Sequence, residues 1–285
     1  MDVIKESGEK EVYNKEKFCS SLREAGAEEG MVQNVCTLLE KDLTTDITTS
    51  EIFRRASKYL HGENIHVAAR YNLKRGIQNL GPAGFHFEHL VEVILQTLGF
   101  QTKRNQILDG QCVSHEVDVL GEKDGTIYIL EAKYHNQYGV KSHIDDVIYA
   151  EGRMEDICRK NPSKSFKVWL VTNTKFTEKA INYGRCRNLK LTGWNYPKGE
   201  SLEELISFHL LYPITVLPSV EKYELEQFAK NNLMLARDLA PYPTHDIVEK
   251  FSISQDKAEK IIREVHALIY GEEKTPPSGD VISSH

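Results

Sequence analysis

Along the first 77 residues the apolar positions recur mainly at helical spacing. Phe18, Leu22 and Ala25 share one face of a helix over KFCSSLREAG, and Gly26 stands where a C-cap is expected. MVQNVCTLLEKDL predicts a second helix, IFRRASKYLHG a third and VAARYNLKRGIQNL a fourth. Thr48 or Thr49 caps the third helix, and Thr48 with Glu51 has capping-box spacing. Ahead of these helices, VIKESGEKEVYN forms two short strand-like runs around Ser7-Gly8, which reads as a hairpin.

Leu80-Gly81-Pro82-Ala83-Gly84 is punctuation, and the period changes after it. FHFEHLVEVILQTLG is a strongly amphipathic helix with Phe87, Leu90, Val91, Ile94 and Leu98 on its apolar side. Strand-like runs follow at Phe100–Leu108, His115–Leu120 and Thr126–Tyr134, then a helical stretch over about Val140–Cys158. FKVWLVTNT is an apolar, β-branched strand, Phe176–Cys186 is helical and NLKLTGW is a last strand. This order predicts an α/β layered domain, a mixed sheet flanked by helices.

From Val220 the helical period returns in YELEQFAKNNLMLARDL, HDIVEKF and DKAEKIIREVHALIY, interrupted by Pro241 and Pro243. FSISQDKAEKIIREV resembles a helix–hairpin–helix only faintly, and plain helical packing is the alternative. The tail EEKTPPSGDVISSH is polar and rich in Pro and Ser, a composition that predicts disorder. The expected segments are therefore 1–77, mostly helical; 78–218, the α/β domain; 219–271, a small helical domain; and 272–285, a disordered tail.

Composition adds limits. Of 285 residues, 40% are hydrophobic and 27% charged, ordinary for a globular protein. No apolar run approaches the length of a membrane helix, and MDVIKESGEKEVY lacks a signal-peptide core, so the expectation is a cytoplasmic protein. The five cysteines are scattered without a CxxC pair, which predicts reduced, mostly buried thiols and neither a zinc site nor a disulfide framework. Net charge is −6, yet Arg153 to Lys198 holds eleven Lys/Arg against Glu155, Asp156 and Glu178. Such a stretch either attracts a phosphate backbone or forms a solvated basic face.

The chemistry concentrates in HEVDVLGEKDGTIYILEAKYH. Alternate residues of a strand share a face, so Glu116 and Asp118 lie on one side of the first run and Val117 and Val119 on the other. In the second run Glu131 and Lys133 share a face with Ile127, Ile129 and His135. A loop over Gly121–Gly125 lets the runs pair, bringing Asp118 and Glu131 together with Lys133 beside them. Two carboxylates and a backbone carbonyl suit a hard divalent ion, Mg²⁺ or Mn²⁺. A lysine next to such an ion can orient or deprotonate an attacking water and offset charge in a phosphoryl transition state. ExK by itself is common on edge strands; the paired apolar strands and the α/β units around it give the pattern its specificity.

FEHLVEVILQTLGF, HEVDVL, LEAKYH and VWLVTNTKFTEKA resemble the Mrr-like branch of the PD-(D/E)xK restriction-endonuclease superfamily over about Gly81–Ile214. The resemblance implies metal-dependent hydrolysis of DNA phosphodiester bonds by a restriction-endonuclease-like fold. Asp118 and Glu131 match its metal-binding acids, Lys133 the motif lysine and Glu88 the acid of the first helix, which completes the metal site. His115-Glu116 depart from the shorter Gly-containing approach usual in this branch; they either tune the site or place Glu116 as a competing ligand. His135 is a candidate for phosphate contact or support, or a surface histidine. Arg153 is a candidate phosphate contact, with an ordinary Arg–Glu pair as the alternative.

VIKESGEKEVYNKEKF, TTSEIFRRASKYL and VAARYNLKR resemble an ATP-cone over about residues 2–77. That implies ATP or dATP bound as a regulatory ligand and not hydrolysed; GxxxxGK[ST] is absent. Val3, Lys5, Glu11, Asn14, Lys17 and Thr49 match nucleotide-contacting places. Glu6 stands where a basic residue is usual and would repel phosphate.

The combined expectation is a nucleotide-responsive, Mg²⁺-dependent DNA endonuclease, acting as a homodimer or higher homo-oligomer because one active site cuts one strand, with a role in defence against foreign DNA. The alternative is a nucleotide-responsive DNA-binding or assembly regulator that does not cut.

Overall fold

A computed structural model describes residues 2–5, 8–43, 46–81, 85–137 and 139–271. Glu6, Ser7, Pro82–Gly84 and the tail 272–285, each singled out above, lie outside the described residues. By packing, the chain divides into two compact units. One comprises Met1–Leu73, Val216–Glu224 and the segment from Ala236 on; the other comprises Lys74–Thr215 and Leu225–Leu235. This grouping differs from the four segments read off the sequence, which followed chain order and could not register helices distant along the chain sharing one unit.

The first unit opens with strands β1 (Asp2–Ile4) and β2 (Lys10–Val12), an antiparallel pair. Helices α1 (Lys15–Glu24) and α2 (Glu29–Asp42) follow, then β3 (Ile47–Thr48), which joins β1 in parallel. Helix α3 (Thr49–Glu63) comes next, then α4 (Ile65–Gln78), whose residues from Lys74 on belong to the second unit. The helix starts follow the capping chemistry in the sequence. Asn14 Oδ1 accepts from the Lys17 N–H at 2.9 Å, and Thr48 Oγ1 accepts from the Glu51 N–H at 3.1 Å, so Thr48 and not Thr49 is the cap. Gly26 takes φ 87° past the end of α1, where the Ala27 N–H donates to Leu22 O. Val3, Phe18, Leu22, Val35, Leu39, Ile47 and Leu60 form its core.

The second unit holds the sheet. Helix α5 (Phe87–Thr97) leads into β4 (Gln101–Asp109), β5 (Ser114–Lys123) and β6 (Thr126–Lys133), each antiparallel to the next. After β7 (Lys141–Ser142), helix α6 (Ile144–Lys160) crosses to β8 (Ser165–Thr172), parallel to β6. Then come β9 (Lys175–Phe176), helix α7 (Glu178–Cys186), β10 (Lys190–Thr192) and helix α8 (Leu202–Phe208). The five-stranded order is β10-β8-β6-β5-β4, and β7 and β9 form a separate parallel pair. Helical crossovers connect the parallel strands, as parallel pairing requires. The protein is thus mixed α/β, as the hydrophobic pattern predicts.

Helix α5 buries Phe87, Leu90, Val91, Ile94 and Leu95, and it lies close to β5. A Cβ on Gly121 would stand 2.7 Å from a methyl carbon of Leu95, so that strand position admits no side chain without moving the helix. The hairpin is tighter than the sequence suggests. Asp124 and Gly125 both take positive φ, 51° and 72°, between the register pair Lys123↔Thr126. This is the two-residue Asp-Gly turn that matches strand twist, and residues 121–123 belong to the strand rather than to a loop.

The last helices among the described residues are α9 (Lys222–Lys230), α10 (Ala236–Leu239), α11 (Thr244–Phe251) and α12 (Gln255–Tyr270). The described helices include none long and apolar enough to cross a membrane.

The cysteines correct the sequence expectation. Cys19 on α1 and Cys36 on α2 form a disulfide with Cα atoms 6.3 Å apart. Helix packing brings together two residues whose spacing in sequence matches no recognisable framework. Cys112 and Cys186 are exposed, not buried, and Cys158 is half-buried. The unfolded, unreduced chain is expected to titrate three free thiols and the reduced chain five, by reaction with a chromogenic disulfide; five without reductant would contradict the pairing.

Candidate active site

The β5–β6 ladder runs from Lys123↔Thr126 to Val119↔Leu130 and stops there. One step further stand Asp118 and Glu131. Instead of a backbone carbonyl, the Asp118 carboxylate accepts the Ala132 N–H at 2.7 Å. The other neighbour of β5 is interrupted at the same level. Between Arg104↔Val119 and Gln106↔Val117 the intervening residues are Asn105 and Asp118, and Asn105 takes φ 51°. Val117 and Val119 are buried while Asp118 is only half-buried, as the two-residue period requires.

Burial raises the Asp118 carboxyl above its ordinary range; the Ala132 N–H opposes this, the charge of Glu88 adds to it, Arg153 opposes it and Glu116 adds to it. Burial likewise raises Glu131, reinforced by the charge of Asp118 and opposed by Arg153 and Lys133. The sequence-predicted acids are therefore brought together: Asp118 from β5, Glu131 from β6, and Glu88 from the first turn of α5 within electrostatic reach.

Arg153 reaches from α6 to pair with Glu131, and its guanidinium lies 5.3 Å from the Tyr149 ring. The pair is largely buried, with side-chain exposures of 14% and 22%, so it is not the ordinary surface Arg–Glu pair held open above. Lys133 sits at the end of β6 with Nζ 3.2 Å from Asp146 on α6. Nothing in the strand pattern announced Asp146; the signal available was the paired acids of IDD at a helix start.

Three other candidates separate from the acids. His115 Nε2 lies 2.9 Å from Asp156 Oδ2, and Asp156 also accepts the N–H groups of Cys112 and Val113. These contacts hold the Asp156 carboxyl well below the usual carboxylate range, with His115 the main cause. His115 thus secures the β4–β5 connection to α6. Glu116 is exposed, and it acts on Asp118 only through its charge. His135 falls beyond β6, which ends at Lys133. Its N–H donates to Asn173 Oδ1 at 2.8 Å and its carbonyl accepts from Asn173 Nδ2 at 2.7 Å. Its ring is 3.4 Å from Ser142 Oγ, and burial lowers its pKa. Asn173 was not singled out in the sequence, where it is one of several polar residues in VTNTK.

The donor chemistry suits a hard divalent cation: two half-buried carboxylates whose ionised forms burial disfavours, a third acid nearby, and the Ala132 segment between Glu131 and Lys133. Among the described residues, however, no three His, Cys, Asp or Glu side chains are already arranged to hold a metal ion. Arg153 occupies one oxygen of Glu131 in their place.

The nucleotide candidates have internal roles. Val3 is buried in the core of the first unit. Lys5 pairs with Glu9 at 2.9 Å and Glu11 at 3.0 Å, and Glu11 reaches Lys17 at 3.6 Å. Asn14 caps α1, and Thr49 is the half-buried first residue of α3.

Fold and site together define a mixed α/β protein with an acid pair at interrupted strand ends, flanked by helical elements. A family model described as AF1548-like, C-terminal, matches residues 212–269. An uncharacterized protein of Archaeoglobus fulgidus is 36% identical over 176 residues, covering 62% of this chain and 98% of that protein. The crystal structure of protein of unknown function AF1548 is similar at a TM-score of 0.53 and 35% identity, over 65% of this chain and 97% of that one. The chain therefore belongs to the AF1548-like family. MspJI restriction endonuclease in complex with a 27-mer oligonucleotide matches at a TM-score of 0.29 and 11% identity, over 70% of this chain and 40% of that one, a likeness too slight to bear on function.

The raised Asp118 pKa has a consequence for stability. An acid whose folded pKa lies above its unfolded value favours folding less as pH rises between the two, because the unfolded chain releases that proton first. Asp118→Asn keeps an oxygen for the Ala132 N–H and removes the charge. In chelator, its melting temperature is expected to exceed that of the wild type at neutral pH and to converge with it below the ordinary carboxylate range. A lower melting temperature at neutral pH would contradict the burial cost assigned to Asp118.

Proposed function

We propose that the chain is a metal-dependent endonuclease that hydrolyses DNA phosphodiester bonds. The observation that carries this reading is the meeting of Asp118 and Glu131 at the end of the β5–β6 ladder, with Lys133 two residues along the same strand. Asp118 and Glu131 would hold the divalent cation, with Glu88 as third acid. When bound, such a cation supplies positive charge to the phosphoryl oxygens and acidifies water. Lys133 Nζ would donate a hydrogen bond to the attacking water or to the developing charge on phosphate. Asp146, 3.2 Å from Nζ, positions that amine. Arg153 balances Glu131 alongside Lys133 and would donate hydrogen bonds to phosphate once released. A homodimer would let two such sites cut both strands.

Nucleotide control belongs to the same proposal. The hairpin, the third strand and the helices of residues 2–77 support a regulatory ATP or dATP site near Lys5, Glu11 and Lys17. Nucleotide phosphate there would have to compete with Glu9 and Glu11 for Lys5.

Supercoiled plasmid incubated with Mg²⁺ or Mn²⁺, with and without ATP or dATP, is expected to be nicked or linearised. Asp118→Ala and Lys133→Ala are expected to lose activity by on the order of a hundredfold or more. Wild-type cutting by either variant, or no cutting under any condition, would sink the nuclease reading.

A further inference from the structure

β7 and β9 form a two-residue parallel pair in which Lys141 and Lys175 are register partners. Both are exposed, and among the described residues neither ammonium has a carboxylate within ion-pair distance. Like charges directly opposite each other on a sheet disfavour the pairing. Here they are held in place from below. Ser142 is fully buried; its Oγ donates to Thr172 Oγ1 at 2.9 Å and lies 3.0 Å from Thr174 Oγ1. Its carbonyl accepts the Thr177 N–H at 3.0 Å. The side-chain amide of Asn173 clamps the His135 backbone next to this hydroxyl cluster.

The lysines follow the carboxyl ends of the strands that carry the site. Lys141 comes after β6, which bears Glu131 and Lys133, and Lys175 comes just after β8. Ligands of open α/β sheets collect at that end of the strands. The nearby acid Asp146 is already committed to Lys133 and to the His143 N–H at 3.0 Å, while Asp145 and Glu178 are exposed in the first turns of α6 and α7. A polyanion of closely spaced single charges would relieve the Lys141–Lys175 repulsion.

We propose that Lys141 and Lys175 form a phosphate-backbone clamp for duplex DNA beside the acid pair, fixing the strand without reading its sequence. This rests on the nuclease reading and adds the residues that grip the substrate.

Binding of a short fluorescein-labelled duplex is measured by anisotropy across a range of salt concentrations. The Asp118→Asn background with Mg²⁺ keeps the duplex intact. Lys141→Gln with Lys175→Gln is expected to flatten the slope of log affinity against log salt by about 2, one contact per lysine. Lys141→Arg with Lys175→Arg is expected to restore it. Lys160→Gln with Lys164→Gln, a pair of exposed lysines before the amino end of β8, should leave it unchanged. If the wild type cuts DNA and the background binds the duplex, but both Gln pairs give the same slope, the clamp is wrong and the nuclease reading survives. If the chain neither cuts nor binds DNA, both fall.

Discussion

Asp118 and Glu131 carry their charges into a half-buried end of the sheet, where burial disfavours both ionised forms and the charge of Asp118 makes ionisation of Glu131 harder. Water cannot fully solvate them there, so positive charge and directed N–H groups must. The surroundings supply both. The ladder opens at Val119↔Leu130 so that the Ala132 N–H turns to Asp118, and α6 crosses the site so that Arg153 reaches Glu131. Lys133 is drawn toward Asp146 on the same helix. Helix α6 is thus more than a crossover, because it delivers the counter-charges that let an acid pair sit on these strands.

The same helix fixes the two flanks of the site. Asp156 gathers the N–H groups of Cys112 and Val113 with the His115 ring and so ties down the start of β5. At its other end, Asp146 caps the first turn through the His143 N–H. The Asn173 amide holds the backbone just past Lys133. A pair of acids and a lysine placed on strand ends therefore have rigid support on both sides, the condition under which a charged site keeps its geometry.

Much of this was legible in the residues. The alternation in HEVDVL and IYILEAK predicted strands there, and the structure has strands β5 and β6 carrying Asp118, Glu131 and Lys133, because period two is fixed by strand geometry. A threonine cap at Thr48 or Thr49, and the α/β order, followed from local rules as well; the structure puts the cap at Thr48. Contacts between elements were not legible. The Arg153–Glu131 pair, the Asn173 clamp and the Cys19–Cys36 bond each join residues whose separation carries no local signal. Val3 illustrates the opposite failure. Matched to a nucleotide-contacting place by resemblance, it lies in the core, because a short strand must bury one of its faces.

Whether the acid pair is a cation site decides what this end of the sheet does. Calorimetric titration of Mn²⁺ into the metal-free protein tests this without any need for turnover. One strong binding event is predicted, lost in Asp118→Asn and in Glu131→Gln, and tightened in Arg153→Gln because the competing guanidinium is gone. Binding unchanged by all three substitutions, or no binding to the wild type, would show that Asp118 and Glu131 do not hold a cation.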